Sequence, residues 1–253
     1  MRLYRIDDAE AVRPLLEADP LATVRMRNLL FRLRPPDLRV LVDDPASPAA
    51  VLVNNDGEFW DLHAPDVEQG RQMLDALQPD GRERVFAGVA EPLAAHLRER
   101  HELVFDTPCT LFVLARAADL RERDAAQEIS ALAPEHTDQV SAAWPLGTHE
   151  GFDKRGYLGS RIEQGPTAAV FEQGRLAAFV LTHADGSLGV LHTEPDFRGR
   201  GLARAVLQAQ VRQIIASGAP VFGYVIRGND AAEQLMASVG LTRVREAVWL
   251  GVR

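Results

Sequence analysis

The residues best suited to chemistry in this chain are Arg198-Gly199-Arg200-Gly201-Leu202-Ala203. They follow a strand-like run, Leu188–Thr193. They open a stretch whose apolar positions Ala203, Val206, Leu207, Val211, Ile214 and Ile215 have helical spacing. Glycine lets a backbone turn sharply and come close to a ligand. The first N–H groups of a helix lack internal partners and lie at the positive end of its dipole, so they suit an anion. Each hydrogen bond to a charged group contributes about 1.5–3 kcal/mol, so roughly three or four would anchor a pyrophosphate. The other reading of Gly-Arg-Gly is a tight strand-to-helix turn with solvated arginines. A dinucleotide fingerprint Gly-x-Gly-x-x-Gly and a phosphate-loop Lys-Ser/Thr are both absent.

The elements around this segment predict how it is held. A helix is expected over Glu135 to Trp144, then a polar loop from Pro145 to Asp153 and a short helix near Tyr157 to Glu163. Strands are expected at 128–132, 167–171, 175–182 and 188–193. Gly218 and Pro220 should stop the long helix, followed by a strand at 221–226, a helix after Asn229 and a last strand near 243–252. The chain also echoes itself. Val51-Leu52, Asp56-Gly57, Leu62-His63 and Pro65-Asp66 recur as Val180-Leu181, Asp185-Gly186, Leu191-His192 and Pro195-Asp196, with one extra residue in the second copy. Each Asp-Gly sits between strand-like runs and predicts a hairpin. Further on, Val85-Phe86-Ala87-Gly88-Val89 echoes Val221-Phe222-Gly223-Tyr224-Val225. Two matches in the same order predict a duplicated α/β unit, with a boundary in the charged stretch Ala118–Asp124.

Composition limits what such a unit does. The chain has 253 residues, 46% of them hydrophobic and 25% charged, which is ordinary for a globular protein. No apolar run nears the roughly 20 residues that span a bilayer, and Met1-Arg2-Leu3-Tyr4-Arg5-Ile6-Asp7-Asp8 has no apolar signal core. Net charge is −8, and no basic stripe suits a nucleic acid. Arg25, Arg27, Arg32 and Arg34 read as a solvated helix face. Cys109, the single cysteine, lies in an apolar run and is expected to be buried packing. A cytoplasmic protein without a nucleic-acid or membrane partner is expected.

The order strand, Arg198-x-x-Gly201-x-Ala203, amphipathic helix, strand, Asn229-x-x-Ala232 resembles the GNAT superfamily of acyl-CoA-dependent N-acyltransferases. Arg198, Gly201 and Ala203 match its Arg/Gln-x-x-Gly-x-Gly/Ala signature. Asn229, Ala232, Leu235, Gly240 and Leu241 match its second signature. Gly165–Val170, His192–Arg198 and Gly218–Phe222 look like the glycine N-acyltransferase-like branch, whose N-terminal half is a degenerate GNAT-like copy. The resemblance implies an α/β (α+β) class: tandem GNAT-like folds with mixed, mostly antiparallel sheets flanked by helices. Residues 1–120 would be the degenerate domain and 125–253 the catalytic, acyl-CoA-binding one. In the first copy the loop reads Asp66-Val67-Glu68-Gln69-Gly70-Arg71, where a glutamate would repel phosphate.

By the same resemblance, the backbone of Leu191, His192 and Thr193 pairs with the pantetheine arm of acetyl-CoA. Arg198, Gly199, Arg200, Gly201, Leu202 and Ala203 hold its pyrophosphate, and Asn229 and Ala232 belong to the cofactor site. Asn229 equally fits a plain helix N-cap. An amine would attack the thioester carbonyl directly, with a backbone N–H near His192 stabilising the oxyanion. An alkylamine of pKa about 10.4 is mostly protonated at neutral pH, so it needs a proton acceptor. Here the chain departs from the family. Ser187 stands where that branch has Glu, Gly189 where other members have a base, and Met236 where a Tyr acid is frequent. The catalytic candidates are Ser187, as holder of a water, and His192, with His183, Glu150 and Tyr157 as further ones. His149-Glu150 lacks the second histidine of a zinc helix, so no metal is expected. The expected activity is transfer of an acetyl or other short acyl group to a primary amine, a small molecule or amino acid. The alternatives are an acyl-CoA-binding regulator with little catalysis, or an acetyltransferase acting on protein lysines or N-termini. A homodimer is left open.

Overall fold

The computed structural model describes residues 1–55, 57, 59–77, 81–123, 127–144 and 152–253. The chain begins with β1 (Tyr4–Ile6), α1 (Arg13–Glu17) and α2 (Val24–Arg27), which runs into a π-type turn at Asn28–Leu33. Next come β2 (Arg39–Val42), β3 (Val51–Asn55), β4 (Phe59–His63), α3 (Val67–Ala76), β5 (Arg84–Val89), α4 (Glu91–Arg100) and β6 (Leu103–Val113). Then follow α5 (Thr137–Ala143), α6 (Lys154–Gln164), β7 (Ala168–Glu172), β8 (Arg175–Thr182), β9 (Leu188–Thr193) and α7 (Leu202–Ala216). β10 (Phe222–Ile226), α8 (Asp230–Ser238) and β11 (Thr242–Val252) complete the chain. Internal contacts divide it into two units.

The first unit comprises Met1–Leu111, Tyr224–Asn229 and Arg243–Arg253. Its strands run in the order β1-β2-β3-β4-β5-β11-β6. β3 shows why the sheet is covered on both faces, since alternate residues of a strand point opposite ways. Val51 and Val53 join Val12, Leu16, Met26 and Leu30 in one core cluster, whereas Leu52 joins Met73, Leu74, Leu93 and Leu97 in another. Gly70 lets α3 pack closely, because a Cβ there would meet Leu93 at 2.9 Å.

The second unit comprises Phe112–Gly223 and Asp230–Thr242, with strand order β10-β9-β8-β7. On one face, Leu158 and Ile162 of α6 and Val140 of α5 pack on Ala169, Phe179, Leu181 and Val190. α7 buries Leu202, Val206, Leu207, Val211 and Ile214. It ends at Ala216 with Ser217 as its C-cap, and Gly218 takes φ +72°, the left-handed stop that glycine permits.

The duplication is visible as topology. β3 and β4 form an antiparallel hairpin, α3 crosses over, and β5 pairs parallel to β4. β8, β9, α7 and β10 repeat that order, with the hairpin antiparallel and β10 parallel to β9. α4 and β6 follow the first set, α8 and β11 the second.

Two expectations need correction. Residues 128–132 form only a bridge, Ser130 to Ala169, because the Thr167 hydroxyl accepts the Leu132 N–H at 2.9 Å and the ladder stops. Arg25 is no solvated residue: it is buried, ion-paired with Asp61, and its guanidinium lies 5.2 Å from the Trp249 ring centroid. By contacts, Tyr224–Asn229 and Arg243–Arg253 go with the first unit, because β11 pairs antiparallel with β5.

Candidate functional site

The site begins with a defect in the second hairpin. Phe179 pairs with His192 and Leu181 with Gly189, so Val190 and Leu191 together face Val180. Val190 takes φ +52°, which is a true outlier for a β-branched residue. Such a bulge bends the strand and turns its backbone groups out of the ladder. The corresponding first-copy hairpin is regular, running pair by pair from Val51↔His63 to Asn55↔Phe59. Among the described residues, the only pair joining β9 to β10 is Leu188↔Gly223. The stretch Gly189–Thr193 therefore has no ladder on that side, and Leu191, His192 and Thr193 are half-buried.

Beyond β9 the chain makes a short turn, Pro195–Phe197, whose Phe197 ring is buried. The guanidinium groups of Arg175 and Arg200 lie 5.1 and 5.3 Å from the Phe197 ring centroid, pinning the turn. Arg198 Nε donates to Thr193 O at 3.2 Å, and Arg200 pairs with Glu172 at 2.5 Å. Gly199 and Gly201 take φ +75° and +78°, and a Cβ on either would meet nothing within 4 Å. The turn is thus held by arginines and open above its glycines. Gly201 is the N-cap of α7, without a side-chain cap, and Leu202 behind it is buried. Arg204 and Gln208 of α7 donate to Arg121 O, and Arg212 pairs with Glu122, anchoring the helix from its far side.

A second group of side chains collects on the α5–α6 face of the hairpin. Tyr157 Oη lies 2.8 Å from His183 Nδ1, and Ala184 N–H donates to the same oxygen at 3.4 Å. The Tyr157 ring stacks on both His183 and Trp144. Ser187 donates its hydroxyl proton to Asp185 Oδ1 at 2.6 Å, with its N–H on the same oxygen at 2.9 Å, and both residues are buried. His192 Nε2 is 3.6 Å from Glu194 Oε1, and its ring lies against Phe179. Met236 is buried, its Cε 3.2 Å from where a Gly223 Cβ would stand.

The structure thus collects Leu191, His192 and Thr193 with the run Arg198 to Ala203 at the end of β9 and the start of α7. Ser187 sits at the opposite end of β9. Asn229 stands immediately before α8 and Ala232 within it. His149 and Glu150 lie outside the described residues. Among the described residues, no group of His, Cys, Asp or Glu is placed to hold a metal ion, and no helix is long and apolar enough to cross a membrane. Two features escape sequence inspection: the Val190 bulge, whose only hint is the neighbouring Gly189, and the seating of His183 against Tyr157.

The matching loop of the first unit is built differently. Asp66 caps α3, its carboxylate accepting the Gln69 N–H at 2.8 Å, and Glu68 lies in the first turn. The helix end is already supplied with the chain's own anions. His63, the counterpart of His192 in the repeat, has its imidazole pushed below the ordinary range, first by burial and then by the Arg245 charge.

Comparison with known proteins bears on the fold. A family model described as FR47-like protein matches residues 165–250. A solved Drosophila protein is similar over 99% of this chain and 98% of its own, with 16% identity and a TM-score of 0.79. A GCN5-related N-acetyltransferase from Kribbella flavida is similar over 92% of this chain and 94% of its own, with 17% identity and a TM-score of 0.57. A tandem GNAT protein from the clavulanic acid biosynthesis pathway matches over 99% and 98%, with 14% identity and a TM-score of 0.52. A search of curated proteins returned no match. The chain has a tandem GNAT-like fold.

Proposed function

We propose that this protein transfers a short acyl group, acetyl first among them, from acyl-CoA to the primary amine of a small molecule or amino acid. The observation that carries this is the bulged, one-sided strand β9 leading directly into an open glycine turn at the start of α7. Backbone groups at Leu191, His192 and Thr193 are available to a pantetheine-like chain along the strand. The α7 N-terminus, uncapped by any side chain, suits a pyrophosphate through N–H groups from Arg198 to Ala203. Arg198 and Arg200 contribute positive charge while shaping the turn. Asn229 and Ala232 would complete the cofactor contacts. The thioester supplies the acyl group; the chain's own part is to hold it and to stabilise the oxyanion through an N–H near the bulge. The first half is assigned no acyl-CoA, since acids occupy the start of α3. A cytoplasmic location belongs to the same proposal.

Following free CoA release from acetyl-, propionyl- and benzoyl-CoA against amino acids and polyamines tests this, with Gly201→Glu as control. Acceptor-dependent release that the control loses supports the proposal; absence of acyl-CoA binding would end it. A regulatory acyl-CoA sensor is the second reading. It is favoured by Met236 at the position where the resemblance implies an acid, and by the Ser187 hydroxyl already donated to Asp185. Tight binding without release across the panel would select it.

A further inference from the structure

We propose that His183 is the base that takes the proton from the acceptor amine, with Tyr157 as its positioning residue; this rests on the acyl-transfer function proposed above. The ring occupies space that another residue has vacated. An ideal Cβ at Gly189 would fall 1.9 Å from His183 Nε2 and 2.2 Å from its Cδ2. No side chain but hydrogen fits at 189 while the imidazole stays where it is. Gly189 thereby lends its side-chain position to a histidine from the turn that follows β8. That position is one residue from the Val190 bulge, so Nε2 lies beside the backbone expected to meet the thioester carbonyl.

The ring is oriented from its other side. Nδ1 faces Tyr157 Oη at 2.8 Å, and the two rings stack with centroids 6.2 Å apart. A hydroxyl oxygen has two lone pairs. In the tautomer with its proton on Nδ1, that N–H and the Ala184 N–H both donate to the Tyr157 oxygen and the lone pair of the neutral imidazole is at Nε2, the atom over Gly189; the proposed base is this tautomer. His183 is half-buried, held by Tyr157 and Trp144 yet reachable. Among the described residues of α6 and the hairpin, the other ionisable groups have partners of their own or are exposed. On α6, Lys154 donates to Trp144 O, Arg155 pairs with Asp138, Arg161 bonds Gln164, and Glu163 is exposed. In the hairpin, Asp185 accepts from Ser187.

The step balances as follows. His183 Nε2 takes one proton from the ammonium group, and the freed lone pair forms the C–N bond at the thioester carbonyl. The C–S bond breaks with its electron pair on sulfur. The thiolate takes the proton from the imidazolium, and one of the two protons left on the acylated nitrogen passes to water, leaving the amide N–H.

The test measures kcat against pH and acetyl-CoA Kd for the full chain and for His183→Gln, His192→Gln, Tyr157→Phe and Gly189→Ala. General-base removal costs about 10²- to 10⁴-fold, so His183→Gln should lose kcat on that scale. It should also lose the rise of rate with pH that deprotonation of the imidazole gives. Its acetyl-CoA Kd should stay within about two-fold of wild type. Gly189→Ala, whose methyl displaces the ring, should show the same kcat loss with native circular dichroism. Added imidazole should partly restore His183→Gly. Tyr157→Phe should keep the pH limb but shift it. Unchanged kcat and limb in His183→Gln, or loss of the limb in His192→Gln instead, would overturn the assignment alone. No CoA release by wild type with any amine would bring down the parent function as well.

Discussion

Gly201 is the sharpest place to test the anion site, because two substitutions there separate backbone strain from charge. The residue takes φ +78° with open space around its missing Cβ. Alanine therefore meets no clash but must adopt a left-handed conformation, at a cost of about 1–2 kcal/mol. For a chain of this size that lowers Tm by roughly 2–4 °C per kcal/mol. Glutamate carries the same strain and adds a carboxylate in front of the α7 N-terminus. Like charges about 4 Å apart repel by about 1 kcal/mol in water and about 4 kcal/mol at a protein surface. Acetyl-CoA should thus bind Gly201→Glu about 5-fold to 10³-fold more weakly than Gly201→Ala, measured by titration calorimetry. In about 1 M salt, where the screening length is about 3 Å, the gap between the two should narrow. A glutamate variant within two-fold of the alanine variant would refute the placement of a phosphate at this helix end.

Other perturbations follow from the first unit. Asp61→Ala strands the buried Arg25 charge and should cost about 3–5 kcal/mol in urea unfolding, whereas Arg25→Met/Asp61→Leu should cost less than either single change. The Cys109 thiol, pushed up to about 11 by burial, should resist iodoacetamide at pH 8 in the folded protein and react once denatured. Burial first, and then the Arg245 charge, push the His63 imidazole below its ordinary range. Its contribution to stability is present above the unfolded value of about 6.5 and is lost as pH falls through the lower folded value. His63→Gln should therefore flatten the decline of Tm on acidification.

Much of the second unit was legible because its signals are local. β8 and β9 fall on the expected residues, and α7 begins just after Gly201 and stops before Gly218, where glycine permits the left-handed turns. The turn holding Arg198 to Ala203 was readable for the same reason. What escaped depends on distant partners. Arg25 looks like one of four exposed arginines until Asp61, far along the chain, is known to face it. A valine at φ +52° leaves no trace in composition, because its conformation is imposed by the hairpin around it. The exchange of the final strand is equally silent, since β11 has the same alternation wherever it pairs.

That exchange has a consequence for how the protein is made. Arg245 on β11 donates to Gly88 O on β5, a contact spanning 157 residues. Val248, Leu250 and Val252 supply part of the core that Met73, Phe86 and Leu97 need. The N-terminal half emerges first from a ribosome but must wait for the last residues before its sheet is filled. Closing so long a loop is slow, and the open edge of β5 is exposed meanwhile. Nascent chains halted before β11 should therefore remain protease-sensitive throughout the first half, and emergence of β11, rather than completion of either repeat, becomes the event that commits the chain to its native state.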